Sequence, residues 1–156
     1  MTNFVYLKYN LFTMKRTTSK IANGEFNDWD DESRKYDMIK LVRDGIAYND
    51  FLQFFSDEPF TDKEWANYLG ISTRTLDRYS NGMKSFPSKQ SERIIEIKRL
   101  LNYGESVFED RENFMYWMST NNITMGGVIP KQLLDTTMGI NMVHDQLGRI
   151  AHGIFA

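Results

Sequence analysis

Two arginines, Arg74 and Arg78, stand four residues apart in a stretch that is otherwise rich in small polar side chains. A guanidinium group presents five N–H donors in a rigid fork, so it can bind the edge of guanine or clamp a phosphate group. Ser72 and Thr73 precede the arginines at the expected start of a helix, where hydroxyls and backbone amides favour a phosphate oxygen. These residue types therefore predict a surface that contacts double-stranded DNA.

Such side chains must be carried by a helix, and the flanking sequence predicts a helix-turn-helix over residues 62–81. Thr61 and Glu64 have the spacing of a capping box, in which each side chain binds the backbone amide of the other residue. Gly70 falls in the turn, where a positive φ carries no steric penalty for glycine. Ala66, Gly70 four residues later and Leu76 six residues further on have the spacing typical of this motif.

The second helix of the motif is expected to enter the major groove. The candidate DNA contacts are its outward positions and the residues just beyond: Ser72, Thr73, Arg74, Asp77, Arg78, Asn81 and Lys84. The inward positions are apolar: Trp65, Ala66, Leu69, Ile71, Leu76 and Tyr79. Asp77 can accept from cytosine or pair with one of the arginines. The alternative for the whole segment is a helical hairpin in a bundle that binds no DNA, with the arginines on a solvated face.

The chain has 156 residues and a formal net charge of −2, but its charge is unevenly distributed. Residues 61–100, which contain the motif, carry eight basic and five acidic side chains, whereas residues 25–60 carry four basic and ten acidic ones. The absence of cysteine excludes disulfides, a Cys-ligated zinc site and a thiol nucleophile. Because no apolar run approaches the ~20 residues of a membrane span and residues 1–11 make a poor signal peptide, we expect a cytoplasmic protein.

Residues 1–31 read as an N-terminal extension. Apolar residues alternate in its first part, from Val5 to Leu11, and would suit a short strand. A basic and then an acidic cluster follow, which favours disorder; an arm that contacts DNA or a second subunit is the alternative. Met14 is a possible internal start.

From about residue 33 the pattern becomes helical, and we predict an all-α fold with at most one N-terminal strand. A first helix carrying Tyr36 and Ile39 ends at Gly45, and a second follows at helical spacing with Tyr48, Phe51, Leu52 and Phe55. A long helix is predicted over residues 88–108. Its apolar stripe includes a glycine that would let another helix approach closely: Ile94, Ile97, Leu101, Gly104 and Phe108.

The remaining sequence predicts a compact C-terminal group of short helices and turns. A short helix holds Phe114, Trp117 and Met118, turns fall at residues 121–122 and 126–127, and Pro130 begins another helical turn. Asp135 or Thr136 is expected to cap the last helix. Its stripe is predicted to pack into the core: Ile140, Val143, Leu147, Ile150 and Ile154. We place the domains at 1–31 (extension), 32–86 (helix-turn-helix) and 87–156 (C-terminal helical domain).

Other chemistries find little support. His144 and His152 stand eight residues apart near one helix face, but a metal site needs more ligands. Gly126 and Gly127 lack the lysine and hydroxyl of a phosphate-binding loop, so they read as a turn that a partner's backbone can approach. No nucleophile, base and orienting group occur in a recognisable arrangement. We therefore expect neither enzymatic activity, nor a cofactor, nor a bound metal.

Over roughly residues 36–156 the chain resembles the Xre/MbcA/ParS-like antitoxins, the partners of RES-domain toxins. Residues 69–78 and residues 91–95, leading to Val107 and Phe108, carry part of the resemblance. The end carries most of it: Trp117, Asn122, Gly126, Gly127, Pro130, Leu133, Leu134, Asp135, Thr136, Gly139, Val143, Leu147, Gly148, Arg149, Ile150, Gly153 and Ala156. Two positions depart from the family pattern: Met125, where leucine is expected, and Phe86, where serine usually precedes the proline of the long helix.

The resemblance implies a bacterial type II toxin–antitoxin role. The C-terminal domain would cover the active-site entrance of an NAD-degrading toxin, and the N-terminal domain would repress the shared promoter. We expect the chain to act as a homodimer within a larger toxin–antitoxin complex. In that setting the toxin contacts would come from the outer surface of the last helix, the tail and the glycine turn: Gly126, Gly127, Arg149, His152, Gly153, Phe155 and Ala156. Arg149 can alternatively serve only as a cation at a helix C-terminus.

Two alternatives remain open from the residues themselves. One is a stand-alone helix-turn-helix repressor whose C-terminal domain dimerises or senses a small ligand. The other is an interaction protein that does not bind DNA.

Overall fold

The computed structural model describes residues 32–56 and 58–153. The extension over residues 1–31, with its predicted strand and Met14, lies outside the described residues, as do Ile154, Phe155 and Ala156. The described chain forms α1 (Glu32–Asp44), α2 (Tyr48–Phe54), α3 (Asp62–Leu69), α4 (Thr73–Gly82), α5 (Ser88–Phe108), α6 (Arg111–Ser119) and α7 (Thr137–Ala151), with 3-10 turns at Ile123–Met125 and Pro130–Leu133. These ranges contain isolated β-bridges but no strand. The predicted all-α fold is confirmed.

The helix starts form as local sequence rules require. The capping box is present: the Thr61 hydroxyl accepts from the Glu64 amide at 3.2 Å, and the Glu64 carboxylate accepts from the Thr61 amide at 2.8 Å. Of the two candidates for the cap of α7, Thr136 is the one that acts, because its hydroxyl accepts from the amide of Gly139 at 3.0 Å. These three hydrogen bonds satisfy backbone N–H groups that a helix start otherwise leaves unpaired.

The chain divides into two compact units, and each is built from two separate stretches of sequence. The first unit contains the described residues up to Pro59 together with Arg78–Ser91, and the second contains Phe60–Asp77 together with the chain from Glu92 onward. The second unit therefore combines α3 and the start of α4 with α6 and α7. The sequence-based domain boundary between residues 86 and 87 stays a prediction.

The first unit is built around Phe86, which is fully buried. Its ring lies 5.3 Å from that of Phe51 and stacks on Tyr79 at 4.8 Å. The backbone around it is tied down by Ser91, which is itself fully buried. The Ser91 hydroxyl accepts from the amide of Ile46 at 2.9 Å and donates to the carbonyl of Phe86 at 3.0 Å. These three buried polar groups therefore all have hydrogen-bond partners.

The apolar residues from which the first helix was predicted do not form the buried face of α1. Tyr36 is 70% exposed and Ile39 is also exposed, whereas Met38 and Leu41 are buried. Both pairs are three residues apart, so both satisfy a helical period, and the period alone could not decide between them. The next helix shows the same difference, because Leu52, one of the apolar residues from which that helix was predicted, is half exposed.

The second unit has a continuous apolar core built on α5, α6 and α7. The predicted stripe of α5 is buried at Ile94, Ile97 and Leu101. Gly104 allows the close approach expected of it, since a Cβ at that position would lie 2.2 Å from the ring of Phe114. Each large apolar side chain buried in such a core contributes about 1.5–3 kcal/mol. No helix in the described ranges is long and apolar enough to cross a membrane.

Candidate functional site

The helix-turn-helix forms as predicted around Gly70. Gly70 adopts φ 63°, a left-handed conformation, and its amide donates to Asn67 at 3.1 Å. The amide of Ile71 then donates to the carbonyl of Ala66 at 2.9 Å, which closes the turn. Leu76 is buried as expected, but Ile71 is only half-buried and so does not fill the core to the predicted extent.

The side chains predicted to contact DNA all project into solvent. The exposed set is Ser72, Thr73, Arg74, Asp77, Arg78, Asn81 and Lys84. Arg74, Arg78 and Asn81 follow one another at intervals of four and three along the continuous helix α4, the spacing that places side chains on one helix face. Within the described chain, neither arginine forms an ion pair with Asp77 or with any other acid, so both guanidinium groups keep their donors for a ligand.

Ser72 has a structural task that the sequence left open. Its hydroxyl accepts from the amide of Thr75 at 3.1 Å and lies 2.9 Å from the Thr75 hydroxyl, so it caps α4. That amide is therefore already occupied. A phosphate at this helix start would have to use other donors, such as the hydroxyl of Thr73 or the side chain of Arg74.

An ion pair connects α3 to the C-terminal part of the second unit. Lys131 lies 2.8 Å from Glu64, the same residue that closes the capping box. Partial burial raises the pKa of Glu64, but the hydrogen bonds from Lys131 and Thr61 outweigh that effect, and the net pKa lies below the usual glutamate value. Glu64 therefore stabilises the folded state in its charged form.

Acid should remove this contribution. Because the folded-state pKa is depressed, the stabilisation is present above the ordinary glutamate pKa and is lost as the pH falls below about 4. We expect Glu64→Gln to be less stable than the parent at pH 7, with the difference shrinking toward pH 3, as measured by urea unfolding. Lys131→Met should reduce this pH dependence without abolishing it, because the hydrogen bonds from Thr61 to Glu64 remain. A parent–variant difference that is equal at both pH values would contradict the assignment.

The second group of predicted contacts lies at the C-terminal end of the chain. Gly126 and Gly127 are exposed with φ of 81° and 80°, in a turn closed by the Asn122 amide donating to Val128 at 2.9 Å. Arg149 is exposed in the last turn of α7. His152 and Gly153 are also exposed just beyond it, whereas Phe155 and Ala156 lie outside the described residues.

A cleft that the sequence did not predict lies in this same part of the second unit. It has a volume of about 650 Å³ and is lined by Phe108, Asn113, Tyr116, Trp117, Thr120, Asn121, Asn122, Ile123, Thr124, Gln146 and Ile150. Ile150 was predicted to pack into the core, but it is half-buried and forms part of the cleft wall. Ile123 is 88% exposed at the rim. A large apolar residue between two turn signals was the clue available in the sequence.

His144 contacts two neighbouring side chains. The ring of His144 stacks on Tyr103 with centroids 4.8 Å apart, and its Nδ1 lies 3.8 Å from Asp145. The part of the chain that the structure describes contains no group of three or more His, Cys, Asp or Glu residues that could hold a metal ion.

Two models of antitoxin domain families match the described chain, one in each half. Residues 37–99 match the model of the antitoxin Xre-like helix-turn-helix domain, and residues 104–153 match that of the antitoxin Xre/MbcA/ParS C-terminal toxin-binding domain. Together the two matches cover more than two thirds of the chain. The first includes every residue of the predicted DNA-contacting set, and the second includes the whole cleft.

Individual relatives agree with these matches. An "Antitoxin Xre" of Photorhabdus laumondii is 33% identical over 54% of this chain and 58% of its own length, and one of Yersinia enterocolitica is 34% identical over 56% and 60%. The match thus spans about three fifths of those two proteins. A "Prs ADP-ribosylating antitoxin" of Sphingobium sp. is 26% identical over 77% of this chain and 81% of its own length.

Proposed function

Because the chain belongs to the Xre/MbcA/ParS-like antitoxins, we propose that it neutralises a partner toxin and represses its own operon as part of a type II toxin–antitoxin system. The observation that carries this proposal is the presence in one chain of an exposed arginine face on the second helix of a helix-turn-helix and a domain of the toxin-binding type. A stand-alone repressor needs only the first of these features.

On DNA, α4 would lie in the major groove. Arg74 and Arg78 would bind guanine edges or phosphates, Thr73, Asn81 and Lys84 would contact the backbone, and Asp77 would accept from a cytosine amino group. Helix-turn-helix proteins bind half-sites about 34–36 Å apart as dimers, which supports a homodimer on the operator.

For the toxin we propose a RES-domain protein that degrades NAD, as the family resemblance implies. The contacts would come from the exposed residues at the end of α7 and the glycine turn, with Arg149 as the polar contact and the tail residues Phe155 and Ala156 beyond it. A guanidinium fork suits the polar mouth of an active site, and glycines at positions 126 and 127 let a partner's backbone approach closely.

A second toxin chemistry also has support. The Sphingobium relative matches 77% of this chain, more than either Xre relative does, and its name is "Prs ADP-ribosylating antitoxin". The alternative is therefore a toxin that transfers ADP-ribose to a protein rather than one that depletes NAD.

The experiment is co-expression with the toxin encoded beside this chain's gene, combined with a gel shift on the upstream promoter. The proposal expects growth arrest by the toxin alone, rescue by this protein, and a promoter shift that weakens as salt rises. NAD loss in arrested cells identifies the first toxin chemistry, and ADP-ribose attached to protein identifies the second. A promoter shift without rescue would leave only the stand-alone repressor, and rescue without a shift would leave only a toxin-binding protein.

Arg149 provides the residue-level test of neutralisation. We expect Arg149→Glu to fold, because the side chain is exposed, with a melting temperature lowered only slightly by a negative charge at a helix C-terminus, and to lose most of its ability to rescue growth. Lys89→Glu, a charge reversal at an exposed basic residue outside the C-terminal domain match, is the control and should rescue as the parent does. Full rescue by Arg149→Glu, together with full rescue by Phe155→Ala, would place the toxin contact elsewhere on the domain.

A further inference from the structure

The cleft between α6, α7 and the Ile123–Met125 turn has a lining of two chemical kinds. Some lining residues are apolar or aromatic, among them Tyr116, Trp117 and Ile150. Others bring carboxamides and hydroxyls, namely residues 120–122, Thr124 and Gln146. No charged side chain is among the lining residues, so the cleft offers no counter-charge to a phosphate, a carboxylate or a cation.

The rim of the cleft is held in place by hydrogen bonds. Gln146 on α7 is buried, and its Nε2 donates to the Thr124 hydroxyl at 2.9 Å. That hydroxyl in turn donates to Asn122 Oδ1 at 2.7 Å, and the same oxygen accepts from the Met125 amide at 3.3 Å. The turn that carries Ile123 is thus anchored to α7, and a partner would meet a surface that is already ordered.

The apolar surface extends beyond the cleft. Ile123 is 88% exposed and Tyr116 is 72% exposed, although both residues line the cleft. A small molecule confined to the cleft would leave these rim side chains in water. An occupant that covers them must be wider than the opening, which favours a protein surface with one side chain inserted.

We propose that the partner toxin inserts an uncharged apolar or aromatic side chain into this cleft, and that Tyr116 and Ile123 pack against the toxin surface around it. The carboxamides and hydroxyls of the lining pair with the peptide groups that flank the inserted residue. This inference rests on the proposed function. We identify the toxin as the occupant because of where the cleft residues lie in the sequence. Every lining residue falls within residues 104–153, the range that matches the toxin-binding domain.

The cleft contact is separate from the one assigned to Arg149. Arg149 does not line the cleft, although its neighbour Ile150 does. The toxin would therefore be held at two places on this domain, an apolar anchor in the cleft and a polar contact at the end of α7.

The test measures the affinity of purified full-length variants for the catalytically inactivated toxin encoded beside this chain's gene. Ile123→Glu and Tyr116→Ala each change an exposed side chain, so both should keep the parent's melting temperature and operator affinity. We expect each to weaken toxin binding on the order of 10- to 100-fold, the size of a buried anchor contact at an interface. Leu52→Glu, which changes an apolar residue exposed in the first unit, is the control and should bind as the parent does.

The outcomes separate the two proposals. Toxin binding by the parent that falls in both cleft variants but not in the control supports the cleft as the docking site. Parent-like affinity in folded Ile123→Glu and Tyr116→Ala overturns the cleft and leaves the antitoxin function standing. A parent that does not bind the toxin overturns the proposed function, and the cleft proposal falls with it.

Discussion

Replacing Arg74 and Arg78 together by alanine is expected to abolish specific operator binding. Both guanidinium groups are exposed on α4, and neither forms an ion pair with another described residue, so the fold does not depend on them. A bidentate contact to a base is worth about 1–3 kcal/mol, so losing two should weaken operator binding about 30-fold or more. Melting temperature and toxin binding should not change.

Operator affinity has to be measured for parent and variants at the same salt concentration, because removing any two positive charges weakens binding to DNA in a salt-dependent way. The control is Lys35→Ala combined with Arg43→Ala, which removes the same charge from exposed positions on α1. The double arginine variant should lose the preference for operator over unrelated DNA, whereas the control should keep it. Undiminished operator affinity in the arginine variant would show that α4 is not the reading helix.

Gly139→Ala should be among the most destabilising small substitutions in the second unit. A Cβ at residue 139 would lie 2.0 Å from the backbone carbonyl oxygen of Leu133. A carbonyl in the Pro130–Leu133 turn cannot rotate away as a side chain can, so α7 would have to shift and its packing at Ile140 would be disturbed. Overpacking of this kind costs about 1–3 kcal/mol or more.

The same helix supplies the matched control. A Cβ at Gly148 would meet its nearest neighbour, the Tyr103 hydroxyl, at 3.7 Å, an ordinary contact distance. Gly148→Ala should therefore stabilise the protein by up to about 1 kcal/mol, because alanine is the better helix former. Urea unfolding of both variants is the measurement. Changes of the same sign in the two variants would refute the assigned contact between α7 and the Leu133 carbonyl.

Local sequence signals predicted most of the fold because they depend on residues close together in the chain. The capping box at Thr61, the left-handed turn at Gly70 and the span of α5 each follow from neighbours within a few positions. The exposed face of α4 was predicted correctly for the same reason, since helical spacing around the buried Leu76 decides which side chains point outward.

Features that depend on distant parts of the chain were not predictable in this way. The inward face of α1 required knowledge of its neighbours, because Tyr36 and Met38 both belong to plausible apolar stripes. The cleft needed three separate segments to be placed around it, so Ile150 was assigned to the core on its helical spacing alone. The ion pair between Glu64 and Lys131 joins residues whose sequence separation gives no sign that they meet.

The second unit is built from two separate stretches of sequence, and this limits how recombination can exchange toxin specificity between related proteins. A recombination event at the boundary between residues 86 and 87 would join α3 of one parent to α6 and α7 of another, although these segments share one compact unit. Lys131 would then face whatever residue the other parent carries at position 64. A crossover that keeps the second unit intact has to carry Phe60–Asp77 together with the C-terminal segments, and with that stretch the start of the helix proposed to read DNA. Under the proposed function, the choice of toxin and the choice of operator would therefore tend to be inherited together.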